Sequence, residues 1–438
     1  MLASFALPQT VTGFATTIGM DFYHFWGAPV AVRLTGHTLG APYSHGERYQ
    51  TVLKDYAATV KQPRLMSAQR FWGGPDFTAT PLLYQAFGVF SDDYTFSLAL
   101  FRALQVLSFL GACLLLGYLY RFEPFQLLGF ALLSLVLYQP LLSDLRVANL
   151  GCLQLAVLAG VTAMASALPR VASPGRRAAL AAACLVVVAA LTLCKPNIVL
   201  VSVLLAVHLA VRHGVGVFVR AALPAAVVSA LLLVAPCLYF GSWTVWQEWF
   251  RFVYGSNTAM LVRPIASGNY STPLFVSTWT GAGSSAIAAV LFALLLASLA
   301  VTLRRGPRST HERAHAALKR LFHDPHAPVA AGILLTMATS PLFWLHYYVL
   351  MLIPSLWLLS AQGRAVSILA ATSVALSAGL AGVLLWALGW PAAMPATIAL
   401  SWVPLWGALL LELRSPAARS EDAGRGNVAT ACARRQRK

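Results

Sequence analysis

SLALFRALQVLSFLGACLLLGYLY, residues 97–120, carries a single charge, Arg102, in a stretch long enough to cross the hydrocarbon core of a bilayer as a helix, which takes about 20 apolar residues. Comparable runs recur near 125–142, 149–168, 178–194, 197–211, 221–240, 281–303, 327–343, 346–361, 365–389 and 395–413. The 438 residues are 58% hydrophobic and only 10% charged, with a mean hydropathy of +0.70, too apolar for a water-soluble core beneath a polar coat. In lipid, backbone polar groups are satisfied within helices or closed barrels, and the two-residue alternation of a barrel is missing. The expected fold is therefore all-α, a polytopic integral membrane helix bundle of about 11–12 transmembrane helices, with residues 1–413 forming one membrane-embedded domain.

Proline and glycine mark the joints, at Glu123-Pro124, Pro169 to Gly175, Lys195-Pro196, Gly241 and Pro391 to Pro395. The net charge of +17 comes in short patches between apolar runs, a pattern of membrane topology rather than of nucleic-acid binding. Arg304, Arg305, Arg308, Arg313, Lys319 and Arg320 share one segment, and the tail 414–438 is basic and rich in Ala and Ser. Both are expected on the cytoplasmic side, the tail as a disordered extension. Counting spans back then sends segments 21–96 and 241–280, the joint 143–148, Lys195 and the start of the His346 helix to the outer face. Met1 to Met20 is uncharged and weakly apolar, without the basic start of a signal peptide, so the first helix is expected to be short or clipped by its assigned start.

Most interesting polar residues fall on that outer face. Asp21 opens the aromatic stretch Asp21-Phe-Tyr-His-Phe-Trp26; at a membrane boundary it serves either as a helix-terminal charge or as a base, with His24 on the same side of a helical turn. Segment 21–96 balances six acids against six Lys and Arg and interleaves Trp26, Tyr43, Phe71, Trp72 and Tyr84, either interface anchors or the lining of a groove for sugar or lipid. Asp144 and Arg146 read as a local salt bridge and cap, or as part of a site with Asn149 and Gln154. Lys195 interrupts an apolar run and is either snorkelling or functional. His346 begins a late helix, as an interface residue or a catalytic one.

No GxxxxGK, HExxH or GxSxG motif is present. Asp92-Asp93 precedes a helix start, where negative charge suits the dipole. His311, His315, His323 and His326 lack acidic or cysteine partners at ligand spacing, so no metal site is expected there. Five of the six cysteines lie in or beside apolar runs and read as packing residues, with a Cys194–Cys237 bridge as the alternative.

Several short stretches, in order, resemble the integral-membrane GT-C glycosyltransferases that use polyprenyl-phosphate sugars, specifically glycosyltransferase family 87, the mannosyltransferase group. They are Asp21 with Tyr23, Gly40-Ala-Pro42-Tyr43, Thr80-Pro81-Leu-Leu-Tyr84, Arg146-Val-Ala-Asn149 leading to Gln154, Leu-Cys-Lys195-Pro196, and His346 through Pro354. The resemblance implies a GT-C-like bundle in the cell inner (plasma) membrane, with Asp21 as catalytic base and His346 near the donor phosphate. It also implies that no cofactor or metal is required. On chemical grounds, Asp21 would take the proton from an acceptor hydroxyl, while Arg102, Arg146, Lys195, Arg263 and His346 are cations available to a lipid-phosphate leaving group. His24, Tyr43, Asn149, Gln154 and Asn257 are candidates for binding substrate. The expected partners are a polyprenyl-phosphate sugar donor, a lipid or glycan acceptor and the bilayer, with no nucleic acid. Two other classes stay open: a transporter or flippase, which would show internal repeats or broken helices, and a non-catalytic subunit of a glycan assembly system.

Overall fold

The computed structural model describes residues 17–72, 77–256, 269–304, 321–361, 363–380, 384, 388–389 and 393–414. Among them the fold is all-α, and an isolated bridge between Asn269 and Trp344 is the only β pairing. Seven helices are long and apolar enough to cross a membrane: Tyr94–Tyr120, Gly151–Arg170, Pro174–Cys194, Pro196–His213, Val215–Phe240, Ser284–Leu303 and Pro395–Arg414. The chain is thus a multi-pass membrane protein.

Among the described residues seven helices, or eight if one bent pair counts as a span, reach membrane length, against the 11–12 spans expected. The run 125–142 is not one helix: Pro124–Leu137 and Gln139–Val147 meet at a 63° bend. Tyr138 is extended at the break and Pro140 sits in the first turn of the second piece, where its missing N–H and fixed φ favour a new helix over continuation of the old one. Three further expected spans become shorter apolar helices, His326–Thr339, Leu345–Leu359 and Arg364–Ser377. Fourteen residues reach only about 21 Å at 1.5 Å per residue, less than the roughly 30 Å hydrocarbon core.

Segment 21–96 is folded rather than a connecting loop, with helices Met20–Leu34, Gly46–Val60, Pro63–Trp72 and Pro81–Phe87. Phe22, Tyr23 and Trp26 are fully buried; Phe22 packs against Phe87, Phe90, Tyr94 and Phe101 at ring separations of 5.3–5.8 Å. These aromatics, with Tyr43 and Tyr84, are core, whereas Phe71 is exposed. Arg33 fastens Met20–Leu34, donating through Nε to Asp92 at 2.9 Å and to the carbonyls of Gly88 and Phe90. Asp93 caps Tyr94–Tyr120 by accepting from Phe96 N at 2.9 Å, as its place before a helix start suggests. Gly19 caps the start of Met20–Leu34 with φ +66, and a Cβ there would lie 2.4 Å from Leu98 Cδ1, so only glycine fits both the left-handed backbone and the close approach.

Two other joints are built locally. Pro196 ends Pro174–Cys194, leaving Lys195 extended, and Thr80 Oγ1 donates to Cys194 O at 2.9 Å while accepting from Leu83 N. The strip around His346 is tied to 269–271: Asn269 Oδ1 accepts from Phe343 N at 2.8 Å, and Tyr348 OH donates to Tyr270 O at 2.9 Å. Cys113, Cys152, Cys184, Cys194 and Cys237 are all free thiols, so the alternative Cys194–Cys237 bridge is not formed.

Candidate functional site

Three helix joints and the helix Met20–Leu34 converge on one polar cluster. Asn149 Nδ2 donates to Asp21 Oδ2 at 2.5 Å, and Asn149 Oδ1 accepts from Lys195 Nζ and, at 2.6 Å, from Leu150 N. His346 Nε2 lies 4.0 Å from the same Asp21 oxygen. Asp21 keeps 26% of its side chain exposed, whereas Asn149, Lys195 and His346 are buried. Asp21 is thus the partly exposed member of the group. Lys195 Nζ also sits 4.7 Å above the Tyr347 ring and 5.8 Å from Phe25, contacts that favour a cation.

Burial pushes the Asp21 carboxyl above the usual carboxylate range, partly offset by the Asn149 hydrogen bond and the Lys195 charge. Burial likewise draws Lys195 below the ordinary lysine value, offset by the charges of Asp21 and Asp144. Both shifts run toward neutral pH because burial disfavours the charged form.

The joint 144–151 shows how the sequence builds this. Ala148 takes a left-handed φ of 55° at the end of Gln139–Val147, a conformation uncommon for a residue with a side chain. The reversal turns the Asp144 carboxylate onto the next helix start, where Oδ1 accepts from Gly151 N and Oδ2 from Cys152 N, each at 2.9 Å. Gln105, from the middle of Tyr94–Tyr120, donates to Asp144 Oδ2 at 3.2 Å and to Asn149 O at 2.7 Å. A Cβ on Gly151 would stand 2.6 Å from Asp144 Oδ1, so the cap requires glycine.

Of the residues singled out from sequence, Asp21, Asn149, Lys195 and His346 are brought together. Gln154 is one turn along and donates to Asn197 Oδ1 at 2.9 Å; its own Oε1 and Asn197 Nδ2 are buried without a protein partner. His24 is buried on the Asp21 helix. Tyr43 is core, its hydroxyl donating to Ala79 O at 2.7 Å. Arg146 is exposed and has no ion pair to Asp144, which acts as a cap instead. Arg102 donates to Thr17 O at 3.1 Å. Arg263 and Asn257 lie outside the described residues. Sequence reading missed Gln105, Asn197, Tyr347 and Phe25. Gln105 had a signal: a lone amide inside an apolar span needs a buried partner.

His326 contacts Tyr120 OH at 3.1 Å and stacks on Trp357, while His311 and His315 lie outside the described residues. Among the described residues no group of three His, Cys, Asp or Glu side chains is arranged to hold a metal ion. Comparison with protein-family models, with curated proteins and with solved structures finds no match to this chain.

Proposed function

We propose that this protein is a GT-C-type membrane glycosyltransferase that moves a hexose, mannose by its resemblance to family 87, from a polyprenyl-phosphate donor to a lipid or glycan acceptor. The reading rests on one observation: a partly exposed carboxylate, Asp21, flanked by Lys195 and His346 from joints far apart in the chain. The acceptor oxygen forms a bond to the anomeric carbon as its proton passes to Asp21. The bond from that carbon to the phosphate oxygen breaks, and polyprenyl phosphate leaves with the electron pair, so the anomeric centre inverts. Charge developing on the phosphate is met by the Lys195 ammonium and by a ring N–H donated from His346. Purified protein incubated with radiolabelled polyprenyl-phosphate mannose and a panel of lipid and glycan acceptors tests it; no labelled product with any acceptor sinks the reading.

With the three shorter apolar helices counted as crossings, the Lys and Arg pattern supports a cell inner membrane location with the Asp21 cluster on the extracytoplasmic side. A reporter fused after Thr278 is expected to read outside and one fused at the C-terminus inside; the reverse pair would overturn this orientation. On the donor side, Lys195→Ala and His346→Ala are expected to raise the KM for donor by about tenfold while the protein stays folded, since a charge-assisted contact to phosphate contributes roughly 1.5–3 kcal/mol. Full transfer rates with unchanged donor dependence in both variants would move the phosphate site elsewhere, with Arg263 next to test.

A carrier is the second reading, favoured by the broken pair Pro124–Leu137 and Gln139–Val147, a feature found around transport sites. Counterflow of labelled lipid-linked sugar across proteoliposomes without any glycoside product would favour it.

A further inference from the structure

The Asp21 carboxylate and the Lys195 ammonium approach the same side chain from opposite ends and do not touch one another. Asn149 donates its amide N–H to Asp21 and offers its amide oxygen to Lys195, and no ion pair between Lys195 and a carboxylate occurs among the described residues. The amide orientation is fixed by its partners: a flip would turn the NH2 toward the ammonium and toward Leu150 N, three donors facing one another. Asn149 is itself held from behind, its N–H donating to Asp144 O at 3.1 Å and its carbonyl accepting from Gln105. Other charged or titratable groups around Asp21 are His346, whose Nε2 has no hydrogen-bond partner, together with Asp144 and Tyr347.

We propose that Asn149 is a positioning residue, a neutral spacer that keeps the Asp21 carboxylate and the Lys195 ammonium from collapsing into an ion pair. A direct pair would neutralise both groups, lowering the basicity of the carboxylate and occupying the ammonium. Interposed, the amide leaves Asp21 able to accept a proton and Lys195 able to face an incoming anion. This role replaces sugar contact as the task of the Asn149 amide. It rests on the proposed function only for the use made of Asp21; the spacing itself is independent of any substrate.

The sign of one measurement decides it. The infrared carboxyl band of Asp21, assigned by difference against Asp21→Asn, is titrated in the full-length protein and in Asn149→Leu and Asn149→Ala. Losing the Asn149 hydrogen bond alone would raise the titration midpoint, because a donor to the charged form is gone. Arrival of Lys195 would lower it, by about one pH unit or more. The spacer role therefore predicts a fall in whichever variant folds, and predicts that the fall vanishes when Lys195→Met is added. A midpoint that rises or stays in place overturns the inference. A fall in the Asn149 variants, where the unaltered protein transfers no sugar to any acceptor, leaves the spacer standing and removes the glycosyltransferase reading.

Discussion

Asp21→Asn is expected to fold, to bind the lipid-phosphate donor and to lose about 10²-fold or more in turnover, the scale of general-base contributions. Asparagine keeps the size of the side chain and an oxygen for the Asn149 N–H, but it has no charge with which to take a proton. A purely structural Asp21, acting as a negative charge in the first turn of Met20–Leu34, would cost about 0.3–1 kcal/mol of stability on neutralisation and little activity. Thermal unfolding and donor binding measured beside sugar transfer separate the two cases. Near-normal turnover in this variant would take Asp21 out of the mechanism and make Asp76 the next acid to test.

Why these residues were legible in the sequence, and others were not, follows from what a single chain reveals. A charge at the end of an apolar run is conspicuous because burial of an unpaired ion is costly, so Asp21, Lys195 and His346 stood out. That they meet is a property of tertiary packing that no local pattern carries. The membrane class was legible for a similar reason, since twenty apolar residues in a row have few other fates. The break at Tyr138 had a signal, Pro140 inside the expected run 125–142, which interrupts a helix interior, but the apolar run continues across it and masks the joint. The compact fold of 21–96 was not legible, its helices Gly46–Val60 and Pro63–Trp72 being polar on average and held by aromatic contacts with distant residues.

Asp144 and Arg146 show the limit most plainly, and they set the second large effect. Two residues apart on Gln139–Val147, they cannot face the same way; the sequence leaves open whether they pair, and the structure turns Asp144 inward and Arg146 to the surface. Asp144→Ala would strand the N–H groups of Gly151 and Cys152, and one bond from Gln105, in a fully buried place. At about 1–3 kcal/mol for each buried group left unsatisfied, the expected loss is roughly 3 kcal/mol or more, seen as a lowered thermal midpoint in detergent. Asp144→Asn retains one acceptor oxygen but turns an NH2 toward a backbone N–H, so an intermediate loss of about 1–2 kcal/mol is expected. Arg146→Ala should change stability by no more than about 0.5 kcal/mol, as at other exposed positions. If instead Arg146→Ala were as costly as Asp144→Ala, the two would be acting as an ion pair and the cap on Gly151 would not be what orders this joint. Because Asn149 hangs from the same turn through its N–H to Asp144 O, a destabilised cap should also loosen the amide that separates Asp21 from Lys195, so the folded fraction of Asp144→Ala is expected to show a broadened Asp21 titration.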